Sequence, residues 1–206
     1  MKTSNPIKHL KLLALLFVAL SIVSCNNDDD VPEEEDELEV ITDVTLVFTD
    51  ESDSNNVIRA RAQDPDGAGA QELQVLDAIN LSIDSQYILT FEISNALDPN
   101  DVEDIGAEIL EKDNEHQFFF SFSDSAFDSP IGDGNIDTAS DPISYNDMDE
   151  NGNRVGLNTT WATSTIATSG REFRVVLKHQ PDIKTATTGS NDGETDFDLT
   201  FILNIQ

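Results

Sequence analysis

Residues 196–205 read Asp-Phe-Asp-Leu-Thr-Phe-Ile-Leu-Asn-Ile, and their period is two. Phe197, Leu199, Phe201, Leu203 and Ile205 fall on one side, with Asp196, Asp198, Thr200 and Asn204 on the other. Side chains alternate across a pleated strand, so this spelling describes a strand with one face in a core and the other in water. The alternation recurs upstream at Val44, Leu46 and Phe48, and at Tyr87, Leu89, Phe91 and Ile93. It returns at Phe118, Phe120 and Phe122, at Val155, Leu157 and Trp161, and at Phe173, Val175 and Leu177. Clusters of Asp, Asn, Gly and Pro separate the runs, which is turn chemistry. Roughly seven or eight such strands in about 165 residues fit two antiparallel sheets packed face to face. The expected fold class is all-β, an Ig-like antiparallel β-sandwich over residues 40–206.

One short helix interrupts the strands. Asp98 is placed to cap it, Pro99 suits its first position, and Val102, Ile105, Ile109 and Leu110 follow helical spacing toward the sandwich. Lys112 suits the negative C-terminal end, and Asn114 is a terminator. Leu, Ile, Val and Phe make up 58 of 206 residues, above the level of about 20% below which highly charged chains stay unfolded. A core is therefore within reach despite a net charge of −30. That charge excludes nucleic acid as a partner, since phosphates need a Lys/Arg surface to displace their counterions. The single cysteine excludes a disulfide scaffold and a thiolate metal cluster.

The first 24 residues read as an address. Lys2, Lys8 and Lys11 precede an apolar run from Leu12 to Val23, too short to span a bilayer, and Ser24 stands before Cys25. These are the parts of a secretory signal peptide. Ile22-Val23-Ser24-Cys25 resembles the bacterial lipobox, in which the cysteine is acylated and becomes the mature N-terminus. An ordinary signal peptide with a chance cysteine is the competing reading. A cut before Cys25 removes three lysines and no acid, taking the charge to −33. Residues 25–39 then form an anchor and an acidic tether, with nine Asp or Glu between Asn26 and Glu39 that repel one another and bury nothing. Asn26-Asn27-Asp28-Asp29-Asp30 after the cysteine resembles the export signal that sends Bacteroidota lipoproteins to the outer face of the outer membrane.

Catalytic signatures are missing from the sequence: no nucleophile elbow, no zinc-protease helix, no phosphate-binding glycine loop. Paired carboxylates for a hydrolase remain a distant alternative, and the chain is expected not to be an enzyme. Three constellations stand out. Asp147, Asp149, Asn151 and Asn153 place oxygen ligands at alternate positions around Gly152, as in the front half of a calcium loop, although position twelve is Asn158 rather than Glu. The plainer reading is a hairpin turn built on Asn151-Gly152. Asp133, Asn135 and Asp137 repeat the alternation, and Asp64, Asp66 and Gly67 do so again. The second constellation is His116, which begins the phenylalanine-rich strand, and His179, which ends the Phe173–Leu177 strand. If those strands run antiparallel, both imidazoles meet at one end of the sandwich, as metal ligands or as hydrogen-bonded core-edge residues. The third is the stripe Asp104, Glu108, Glu111 and Glu115 on one helix face. Together, His116, His179, Glu111 and Glu115 form the expected divalent transition-metal site.

Four segments carry a wider resemblance: Asp-Asn-Glu-His-Gln-Phe-Phe-Phe (113–120), Asp-Glu-Asn-Gly-Asn-Arg-Val-Gly-Leu-Asn-Thr-Thr-Trp (149–161), Leu-Lys-His-Gln-Pro (177–181) and Gly-Glu-Thr-Asp-Phe-Asp-Leu-Thr-Phe (193–201). They resemble a group of small Bacteroidota outer-membrane lipoproteins. The resemblance implies a lipid-anchored protein facing the cell exterior and working beside a TonB-dependent receptor as an accessory to nutrient or metal uptake. The alternative is a protein-interaction module whose loops are stapled by calcium.

Overall fold

The computed structural model describes residues 39–67 and 72–206, within a compact unit running from Leu38 to Gln206. The expected signal peptide, the expected anchor Cys25 and the expected tether through residue 38 lie outside the described residues. Two sheets face each other. The larger orders its strands β3 (Gln74–Val75), β2 (Val57–Gln63), β1 (Asp43–Asp50), β5 (Gln86–Ser94), β8 (Asn158–Thr163) and β7 (Phe127–Ser129), all antiparallel. The smaller orders β4 (Ile79–Leu81), β10 (Glu194–Ile205), β9 (Thr168–His179) and β6 (His116–Phe122). Within it β4 runs parallel to β10 and the other pairs are antiparallel. The expected β-sandwich is what the chain adopts.

The period-two runs supply the core. Val44, Leu46 and Phe48 of β1 face Phe118, Phe120 and Phe122 of β6, Phe173 and Val175 of β9, and Leu199 to Ile205 of β10 in one cluster. At its centre Trp161 has the rings of Phe120, Phe122, Phe127 and Phe173 at centroid distances of 4.8–5.4 Å, mostly edge to face, as ring quadrupoles favour.

Three local expectations are corrected. The helix, α1, covers Ile105–Glu111 and is capped by Asp104, whose carboxylate accepts the Ala107 N–H at 3.1 Å. Asp98 instead closes a turn by accepting the Asn100 N–H, because the Asn95–Glu103 bridge continues the β-structure past Pro99. So short a helix buries only Ile105 and Ile109, and leaves Val102 and Leu110 exposed. Strand β8 begins at Asn158 rather than Val155. Val155 uses its carbonyl to accept the Phe118 N–H at 2.7 Å, supporting the outer edge of β6. The third correction is Asp196, whose side chain is fully buried rather than facing water.

Candidate functional site at the histidine end

Strand β6 starts where β9 ends, and the antiparallel register pairs His116 directly with His179. Both carry the inward parity of their strands, so the imidazoles sit at the lip of the core. Their rings stack with centroids 4.7 Å apart and planes 12° from parallel. The His116 ring is wholly buried. Its Nδ1 lies 3.0 Å from the carbonyl oxygen of Lys112, the C-cap of α1. A carbonyl only accepts, so Nδ1 carries the hydrogen and the neutral ring presents the Nε2 lone pair on its far side.

That lone pair faces Asp196. The register passes from Thr195–Lys178 to Phe197–Leu177, so Asp196 is the extra residue of a β-bulge, and the bulge turns its carboxylate inward. Its Oδ2 lies 3.9 Å from His116 Nε2, and both side chains have no exposure. His116 Nε2 and both Asp196 carboxylate oxygens have no hydrogen-bond partner among the described residues. Burial pushes the Asp196 carboxyl up to about 7, with the Glu39 carboxylate adding to the shift. Burial also holds the His116 imidazole down at about 4 against the pull of the Lys112 carbonyl, and His179, Lys112 and Lys184 act with burial. At the rim, His179 Nε2 stands 3.6 Å from Glu115 Oε2, and Glu39 Oε1 stands 3.7 Å from Lys112 Nζ.

Of the four residues expected to hold a metal, the structure brings together His116, His179 and Glu115, and leaves Glu111 exposed on α1. Imidazole lone pairs lie in the ring plane, so two stacked, nearly parallel rings do not aim both at one ion. The stack is a packing contact. Sequence reading missed Asp196, because a bulge is invisible to a period-two count.

The expected calcium loop is a turn. Asp147 accepts the Gly156 and Asn158 N–H groups at 2.9 and 3.1 Å. Asp149 accepts from the Asn151 and Asn153 backbones at 2.9 and 2.8 Å and from the Asn153 side chain at 3.2 Å. Its remaining contact is Lys184 Nζ at 3.2 Å. These carboxylates are turned toward N–H donors, and Asn151 and Asn153 contribute as donors too. Asp64 is used in the same manner, accepting from Asp66 and Gly67.

A different acidic group does converge: Asp133, Asp137 and Asp141 place carboxylate oxygens within 4.8 Å of one another. Asn135, which the sequence alternation put beside them, is buried instead, accepting the Phe120 N–H at 2.9 Å and donating to the Tyr145 hydroxyl. At the other end of the domain a groove of about 460 Å³ between Ala167–Ser169 and Asn204–Gln206 has no charged side chain in its lining. No family model, curated protein or solved structure matches the chain.

Proposed function

We propose that the chain is a lipid-anchored lipoprotein of the bacterial outer membrane, facing the exterior, whose β-sandwich is a non-enzymatic binding module accessory to uptake through a TonB-dependent receptor. The observation that carries this reading is the order of parts along the chain. A basic start, an apolar run and Ser24-Cys25 are followed at once by an acidic tether that leads into a folded sandwich. Two or more acyl chains on one cysteine suffice for stable anchoring. Producing the protein with Cys25→Ala should move it from the membrane fraction to the soluble one, and protease added to intact cells should digest the wild type. A Cys25→Ala protein that stays in the membrane overturns the anchor. A wild type that survives until lysis overturns the exterior location. A mild-detergent pull-down from the same cells tests the accessory role: recovery with a TonB-dependent receptor supports it, and recovery alone counts against it.

A second reading, a protein-interaction module with calcium-stapled loops, is favoured by the convergence of Asp133, Asp137 and Asp141. Its mark is a rise in thermal stability on adding calcium that Asp137→Asn abolishes.

A further inference from the structure

The buried pair behind the histidine stack has chemistry that the anchor and the binding role do not use. Buried polar atoms are almost always paired, and three orphaned atoms that belong to two facing side chains call for a common explanation. His116 Nε2, Asp196 Oδ1 and Asp196 Oδ2 are such a trio. The Nε2–Oδ2 separation of 3.9 Å is too long for a hydrogen bond. A water bridging the two, at ordinary hydrogen-bond lengths, would hold them roughly 4–5 Å apart, so 3.9 Å lies at the short edge of that range. Two donors on one zinc-sized ion, each about 2.0–2.1 Å from it, stand roughly 3–4 Å apart. The far side of His116 is arranged as for a metal ligand, because Nδ1–H on a backbone carbonyl fixes the tautomer and aims the Nε2 lone pair.

A third donor would have to move in from the segment ahead of β1. Glu39, where the acidic run meets the domain, is only 16% exposed and is held to Lys112 by a loose 3.7 Å contact. After burial, its negative charge adds to the upward shift of the Asp196 carboxyl. We propose that His116 Nε2, the Asp196 carboxylate and Glu39 form a binding site for one borderline transition-metal dication, of the zinc class, with Glu39 leaving Lys112 to close it. One imidazole and two carboxylates form a mixed N/O set suited to such an ion. The cation would satisfy all three orphaned atoms and offset the charge of the two carboxylates that it draws together.

The test uses the full lipidated chain in detergent, stripped with a chelator and titrated with zinc chloride alone by calorimetry and native mass spectrometry. One zinc per chain is expected, with affinity at least about tenfold weaker in Asp196→Asn and in Glu39→Gln. Asp137→Asn, in the separate loop triad, should bind like the wild type and so controls for nonspecific uptake by surface acids. If Asp196→Asn fails to fold, X-ray absorption of the zinc-loaded wild type decides. A shell with one imidazole and the rest oxygen supports the site, and two imidazoles overturn it. No stoichiometric zinc, or equal binding by Asp196→Asn, overturns it as well. None of these outcomes depends on where the protein is anchored.

Discussion

The ammonium of Lys184 lies 3.2 Å from the carboxylate of Asp149, and both side chains are shut off from solvent. The pair joins the segment after β9 to the turn at Asp147–Asn153, and Lys184 also donates to the Asp113 carbonyl just ahead of β6. Burial pushes the Asp149 carboxyl up, but the Asn153 amides and Lys184 outweigh it and hold it below its usual range. Burial lowers the Lys184 ammonium despite Asp149. Removing one member of a buried pair strands the other, so Lys184→Ala should cost about 3 kcal/mol. Lys184→Met with Asp149→Asn leaves no charge stranded and should recover part of that. Urea unfolding followed by fluorescence of the lone Trp161 reads both.

Two glycines separate backbone conformation from close approach. Gly134 has φ +103°, and a Cβ there would overlap the Phe120 carbonyl oxygen, the same oxygen that accepts the Asn135 N–H. Gly152 has φ +80° and open space around it. Gly152→Ala should cost only the left-handed penalty, about 1 kcal/mol. Gly134→Ala must in addition push the 130–135 segment off the edge of β6, and at least about 2–3 kcal/mol should be lost in the same unfolding assay.

The sandwich was legible because its large strands alternate big apolar and polar residues. Strand β2 was not, since its inward residues are Ile58, Ala60 and Ala62, and alanine barely marks a buried side. The meeting of His116 with His179 follows from parity and antiparallel pairing, both readable in the sequence. What parity cannot show is which way a ring lies or where a bulge resets the count. Hence the stack and the inward Asp196 were both missed. The acids around Gly152 fit a calcium loop as well as the plainer turn, and the sequence does not show the direction of the N–H groups that Asp147 and Asp149 accept.

Phe173 of β9 touches Phe48, Phe127 and Trp161 from the facing sheet and Phe120 from its own, at 5.0–6.1 Å. It is completely buried. Rings from both sheets fix the walls around it, so the space left by truncation cannot collapse easily. Phe173→Ala should cost about 3–5 kcal/mol, and Phe173→Leu, which keeps most of the volume, less than about 2 kcal/mol. Thermal unfolding should show the two in that order, and equal effects would mean that the aromatic centre does not tie the sheets together.

The buried pair gives opposite pH signatures when its members are separated, in chelator-treated protein. The Asp196 carboxyl is raised from 3.8 to about 7 on folding, so its contribution is present below pH 3.8 and lost as pH rises through about 7. The His116 imidazole falls from 6.5 to about 4, so its contribution is present above pH 6.5 and lost as pH falls through about 4. Between these limits the unfolded chain holds one proton on imidazole and the folded chain holds one on carboxylate. The counts match, and the wild-type pair adds almost no pH dependence there. Asp196→Asn leaves the histidine term alone, and stability should drop by about 2–3 kcal/mol from pH 7 to pH 4.5 relative to wild type. His116→Phe keeps a ring on His179 and leaves the carboxylate alone, so the drop should come instead on raising pH from 4.5 to 7. Chemical unfolding at several pH values measures both slopes. Slopes of the same sign in the two variants would show that Asp196 and His116 do not titrate as a facing pair.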